Sequence, residues 1–140
     1  MKRPLVLGSI VVAGMLTAAV AAQQRPPPPP SVDDIAVEKV KDNLFVLRAT
    51  GTGNTAVFVT ANGVTIVDTK SPGWGQPLLD KIKTLTDKPV TTVINTHFHF
   101  DHAHGNQIFE PGVQIIGHEF TRRALLDDPM SKPLYQSFYN

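Results

Sequence analysis

The chain has 140 residues, with 12 prolines, no cysteine, and 13 basic against 12 acidic side chains. That length suits one domain and excludes two independent cores, and 41% hydrophobic with 18% charged residues excludes a disordered polymer. Without cysteine there are no disulfide staples, thiolate nucleophiles or cysteine zinc sites, and a formal charge of +1 excludes the strongly basic surface that nucleic acid attracts.

The first thirty residues have a composition of their own. Met1-Lys2-Arg3 precedes an apolar run from Leu5 to Leu16, then Thr17-Ala18-Ala19-Val20-Ala21-Ala22 and the polar Gln23-Gln24. A cationic start, an apolar stretch and small residues before a polar break describe a secretory signal peptide over residues 1–22, cut after Ala22 or Ala21. The alternative is a permanent anchor, for which Leu5 to Ala22 is barely long enough, since a span needs about 20 apolar residues. Cleavage leaves no stable membrane span and a periplasmic or secreted protein. It also removes Lys2 and Arg3, leaving 11 basic against 12 acidic residues. Residues 23–36 read as a proline-rich linker, because Pro26 to Pro30 favour a stiff polyproline II rod that cannot join a sheet. The folded domain is assigned to residues 37–140, with order beginning near Ser31.

Strands are expected first, then an alternation of strands and helices. Leu44 to Leu47 alternates with period two. Thr55 to Thr60 and Val64 to Asp68 flank Asn62-Gly63, a pair that tolerates the positive φ angles of a tight hairpin. A helix is expected from Gln76 to Thr86, with Leu78, Leu79, Ile82 and Leu85 on one stripe, Pro77 in its first turn and Pro89 barring continuation. Val90 to Ile94 is the next strand, Val113 to Ile116 another, and Glu119 to Leu126 a closing helix.

Four of the five histidines lie within eight residues, at His97, His99, His102 and His104, with Asp101 among them. Imidazole and carboxylate are the ligands that zinc or iron takes from a cysteine-free protein. Alternation at a strand end places residues i, i+2 and i+4 on one side, so His97, His99 and Asp101 are expected to converge, with His102 joining once the backbone turns. The plainer alternative is a solvated histidine-rich loop. The preceding strand and the apolar Phe98 and Phe100, expected to help exclude water, favour a pocket.

Thr96-His97-Phe98-His99-Phe100-Asp101-His102 resembles the His-x-His-x-Asp-His signature of the metallo-β-lactamase superfamily, including its preceding threonine. Ala103-His104-Gly105-Asn106 resembles the continuation, and Val64 to Thr69 resembles the family's strand that ends in an acidic residue. The resemblance runs from about Val37 to Leu126. It implies an α/β (α+β) fold, the four-layer αββα sandwich, of which this chain supplies the first half. It further implies that His97 and His99 bind one metal and Asp101 and His102 a second. The ions would be zinc, with iron or manganese as alternatives, holding a hydroxide that attacks a small-molecule substrate, while Asp101 manages a proton on the leaving group. Asp68 resembles the carboxylate that orients the metal loop from behind the ligands; a cap at a strand end is the plainer alternative. His104 departs from the family's small residue and is expected to be an exposed loop side chain or a polar contact beside the substrate. His118 is expected at a helix start or on the surface, without metal.

Each metal receives two matched ligands, whereas a catalytic zinc usually has three; the family draws the others from its second half. A single half also leaves one sheet face without a covering layer. The chain is therefore expected to be a fragment of a complete hydrolase. Alternatives are an exported metal-binding protein without activity, or a half-domain that pairs with a second copy to complete a site. The family's β-lactam, lactone, ester and thioester substrates all stay open at this point, and no nucleic-acid partner is expected.

Overall fold

The computed structural model describes residues 27–127 and Lys132. The expected leader, residues 1–22, and the start of the linker lie outside the described residues. Ser31 caps a 3-10 turn at Val32–Asp34: its hydroxyl accepts from the Asp33 amide and the Asp34 carboxylate accepts from the Ser31 amide at 2.8 Å. The turn delivers Ile35, 2% exposed, into the core.

Six strands follow in sequence order within one sheet: β1 (Ala36–Lys41), β2 (Leu44–Arg48), β3 (Thr55–Val59), β4 (Val64–Val67), β5 (Val90–Asn95) and β6 (Gln114–Gly117). The first four form an antiparallel meander, while β4, β5 and β6 are parallel. Parallel neighbours need crossovers. The first is α1 (Gly75–Lys83); the second contains α2 (Phe100–Ala103) and a 3-10 turn (His104–Ile108), and α3 (Glu119–Asp127) follows β6.

The expected elements between Leu44 and Leu126 are present within a few residues of their predicted bounds. Strand β1 was not foreseen, because all six of its side chains are exposed and carry no strong alternation. The expected β3–β4 hairpin is present, with Val59 opposite Val64, but its turn differs. Only Gly63 has positive φ there (146°), and Thr60 closes the turn by donating from its amide and its hydroxyl to the Gly63 carbonyl.

One sheet face packs against α1. Leu47, Val57, Val64, Ile66 and Val93 meet Leu78 and Ile82 there, with Phe109 and Ile35 closing the cluster. Leu79 and Leu85 pack on its margin, as the stripe predicted. On the opposite face the register aligns Val46, Ala56, Val67, Ile94 and Ile116 as cross-strand neighbours in one row. None of these five is fully buried.

Candidate metal centre

The site forms at the carboxyl ends of the parallel strands β4 and β5, where open α/β sheets place their ligands. Strand β4 ends in a turn with two non-glycine residues in the left-handed region, Asp68 (φ 63°) and Lys70 (φ 70°). Such conformations cost about 1 kcal/mol or more each and persist only where surrounding contacts enforce them. Here those contacts are visible. The Asp68 amide donates to the Ile94 carbonyl at 2.9 Å, the Thr69 amide to the His102 carbonyl at 2.7 Å, and the Lys70 carbonyl accepts from the Gly105 amide at 3.1 Å.

Asp68 is buried and its carboxylate is fully used. Oδ1 accepts from the Thr96 amide (2.8 Å); Oδ2 accepts from the Thr96 hydroxyl (2.7 Å) and from Nδ1 of His102 (2.8 Å). Because Thr96 spends its hydroxyl proton on Asp68, the 2.9 Å contact between its Oγ1 and Nδ1 of His97 has the imidazole donating. Both rings are thereby held by Nδ1, and in the neutral imidazole the lone pair is left on Nε2.

The four expected ligands are neighbours. The His97 ring lies 4.7 Å from that of His99 and 4.1 Å from that of His102, and Nε2 of His102 is 3.3 Å from Oδ2 of Asp101. The reason differs from the expected strand alternation. Strand β5 stops at Asn95, His99 is extended (φ −58°, ψ 147°), and helix α2 starts at Phe100, so Asp101 and His102 arrive from a helical turn. Among the described residues no three histidine, aspartate or glutamate side chains already form a metal cage. The donor chemistry nonetheless fits a zinc-type ion, with imidazole Nε2 atoms left open by the network and a carboxylate beside one of them.

Of the expectations about flanking residues, those for Phe100 and His104 change, while His118 is at the helix start that was expected. Phe100 is 58% exposed, because the helical turn carries its side chain outward, and its ring meets that of His104 edge-on at 6.5 Å. Phe98 is half-buried and stacks edge-on with Phe120 of α3, 5.8 Å away. His104 is 5% exposed rather than displayed on a loop, since the 3-10 turn folds it inward. His118 is exposed and its Nδ1 accepts from the Phe120 amide at 3.1 Å, a cap at the start of α3.

Sequence reasoning missed the layer behind the ligands. Asn106, fully buried, exchanges hydrogen bonds with Asn95 (2.6 and 3.3 Å) and accepts from the Thr69 hydroxyl (2.7 Å). The Asn95 amide group also reaches the His102 carbonyl. Gly105 is required because a Cβ there would overlap the Thr69 carbonyl. Lys70 was not singled out at all: it is fully buried, its ammonium donates to the carbonyls of Leu47 (3.0 Å) and Gly53 (2.7 Å), and desolvation lowers its pKa from 10.5 to about 8. The Gly-Asn ending marked Asn106; nothing local marks Lys70.

Residues 48–130 match the Metallo-beta-lactamase superfamily, and the chain belongs to that family. It is similar to a metallo-beta-lactamase type 2 from Elizabethkingia meningoseptica, 32% identical over an alignment of 117 positions that covers 73% of this chain and 45% of the relative. A linear primary-alkylsulfatase from a Pseudomonas species is 31% identical over 74 residues, covering 50% of this chain and 14% of the relative. Among solved structures, BJP-1, a subclass B3 metallo-beta-lactamase of Bradyrhizobium japonicum, aligns with a TM-score of 0.55 at 26% identity, over 64% of this chain and 35% of that one. MEM-A1, a subclass B3 enzyme from a soil metagenome library, shares the fold with a TM-score of 0.59 at 21% identity, over 68% of this chain and 38% of that one. The chain thus spans less than half the length of these relatives, and the mixed sheet described above corresponds to part of their αββα sandwich.

Proposed function

We propose that this chain carries the amino-terminal ligand loop of a dinuclear zinc hydrolase whose first substrate class to test is the β-lactams. The observation that carries the reading is the Asp68 network, which holds His97 and His102 by Nδ1 and leaves Nε2 of His102 beside Asp101. His97 and His99 hold one ion, and Asp101 and His102 hold the other. Bound zinc would supply a Lewis acid for the substrate carbonyl and a water whose pKa falls to roughly 7. Asp68 and Thr96 orient the imidazoles from behind, and in this reading the Asp101 carboxylate takes or returns a proton on the leaving group, a role its 32% exposure supports. The leader directs the protein to the periplasm or the exterior, where such substrates are met.

The β-lactamase relatives favour a lactam, whereas the alkylsulfatase relative favours a sulfate ester. The deciding experiment assays the full-length protein, loaded with zinc, against a chromogenic cephalosporin and a long-chain alkyl sulfate. Lactam turnover that disappears in the H97A/H99A double variant supports the proposal. Turnover of the sulfate alone moves the substrate class to sulfate esters, and activity retained by the double variant overturns the assignment of the ligands.

A further inference from the structure

Lys70 is an unusual occupant of this edge. Lysine is almost never fully buried without a charged partner, yet its ammonium contacts only two backbone carbonyls and, among the described residues, no carboxylate. Those carbonyls belong to Leu47, next to the last residue of β2, and Gly53, just before β3, so the side chain gathers both ends of the β2–β3 loop. Ser71 adds to the hold: its amide and its hydroxyl bond Oγ1 of Thr52 at 2.8 and 2.9 Å.

Gly53 in turn leans on the ligand helix. Its amide donates to the Asp101 carbonyl at 3.1 Å. A Cβ on Gly53 would overlap that carbonyl and lie 3.1 Å from Cε1 and 3.2 Å from Nδ1 of the His102 ring. Gly53 is therefore a thin wedge, with the Lys70 ammonium on one side and the backbone of Asp101 and the imidazole of His102 on the other.

We propose that Lys70 is a positioning residue for the Asp101–His102 half of the metal centre, acting through Gly53. The proposal rests on the metal-centre reading given above. Lysine suits the task because one long arm carries three donors and spans two segments, while a hydrophobic replacement fills the space but orphans two carbonyls. Gly53 meets Asp101 and His102 directly, whereas His97 is reached only through the His102 ring 4.1 Å away, so the effect of losing Lys70 falls first on the Asp101–His102 ion.

The experiment is stepwise zinc and cobalt titration of the full-length protein and its K70M variant, with circular dichroism and melting of the metal-free forms. The expected result is that K70M keeps the first ion with unchanged affinity and binds the second roughly 10–100-fold more weakly, the range that loss of outer supporting contacts produces. The cobalt absorption band of the second ion then weakens, and the imidazole 15N shifts of His102 move further than those of His97. G53A, which leaves the lysine and both carbonyls in place, gives the same pattern from the other side of the wedge and carries the comparison should K70M not fold. Both ions bound as in the wild type, or both lost in parallel with melting temperature, overturns the positioning role. Wild-type protein that takes up no zinc overturns the metal-centre reading itself, a result separable from the first two.

Discussion

Oδ2 of Asp68 lies 2.8 Å from Nδ1 of His102, a residue 34 positions further along the chain. The contact joins the end of β4 to helix α2, and the same oxygen holds the Thr96 hydroxyl at the end of β5. One carboxylate oxygen thus ties three chain segments and sets the orientation of a histidine ring.

Asp68→Asn tests this relation cleanly, because asparagine also tolerates the left-handed backbone that Asp68 adopts. The amide nitrogen or its weaker carbonyl then faces two donors. Stability is expected to fall by about 1–3 kcal/mol, and zinc affinity by roughly 10–100-fold. Thermal melting and metal titration measure the two losses; unchanged zinc affinity would falsify the orienting role.

Lys70 predicts a pH dependence. Its folded pKa is about 8 against 10.5 for the ordinary side chain, because burial disfavours the charged form. Between those values the unfolded chain binds more protons than the folded one, so stability rises with pH across about 8 to 10.5 and is flat from this source below 8. The gain is on the order of 3 kcal/mol, since the difference is about 2.5 pKa units and each is worth about 1.4 kcal/mol. Denaturant melts of wild type and K70M across pH 7–10.5 isolate it: the difference between them should change over this window, and a constant difference would refute the burial of a titrating ammonium.

Asn106→Ala removes the partner of Asn95 and Thr69 and orphans buried polar groups on both. The expected loss is about 2–4 kcal/mol, of the size seen when a buried network is broken. A loss under half a kilocalorie would mean that water replaces the amide.

The second sheet face predicts the opposite. Phe58 and Ile116 are 44% and 43% exposed, so replacing either by lysine in this 140-residue chain should change stability by no more than about 0.5 kcal/mol. Binding of a fluorescent apolar dye should fall in both variants. A melting temperature lowered by several degrees would show that another layer covers the face.

Much of the scaffold was legible because its periodicities are strong. Leu78 and Ile82 recur at helical spacing, and Val57, Val64, Ile66 and Val93 lie in β-branched runs. The histidine cluster was legible from residue type alone, since few structural roles gather four imidazoles in eight residues. Its geometry was not. Alternation beyond Asn95 was the wrong period, because Phe100 opens a helix. Strand β1 escaped because it buries nothing on its own and is held by pairing with β2. Lys70 and His104 escaped because burial of a polar side chain is decided by carbonyls and turns distant in sequence, which no local pattern encodes.

The separation between Thr69 and His102 also bears on how the molecule reaches this state. Register pairs within the β1–β4 meander join residues at most 14 apart, as in Leu44 and Phe58, whereas the Thr69–His102 bond closes a span of 33. Closing the longer loop costs more chain entropy before any contact repays it. The meander is therefore the early-forming part of the molecule, and the junction of Thr69, His102 and Asn106 locks late. In kinetic terms, truncations at Val46 or Val57 should slow folding, while truncation at Asn106 should chiefly speed unfolding.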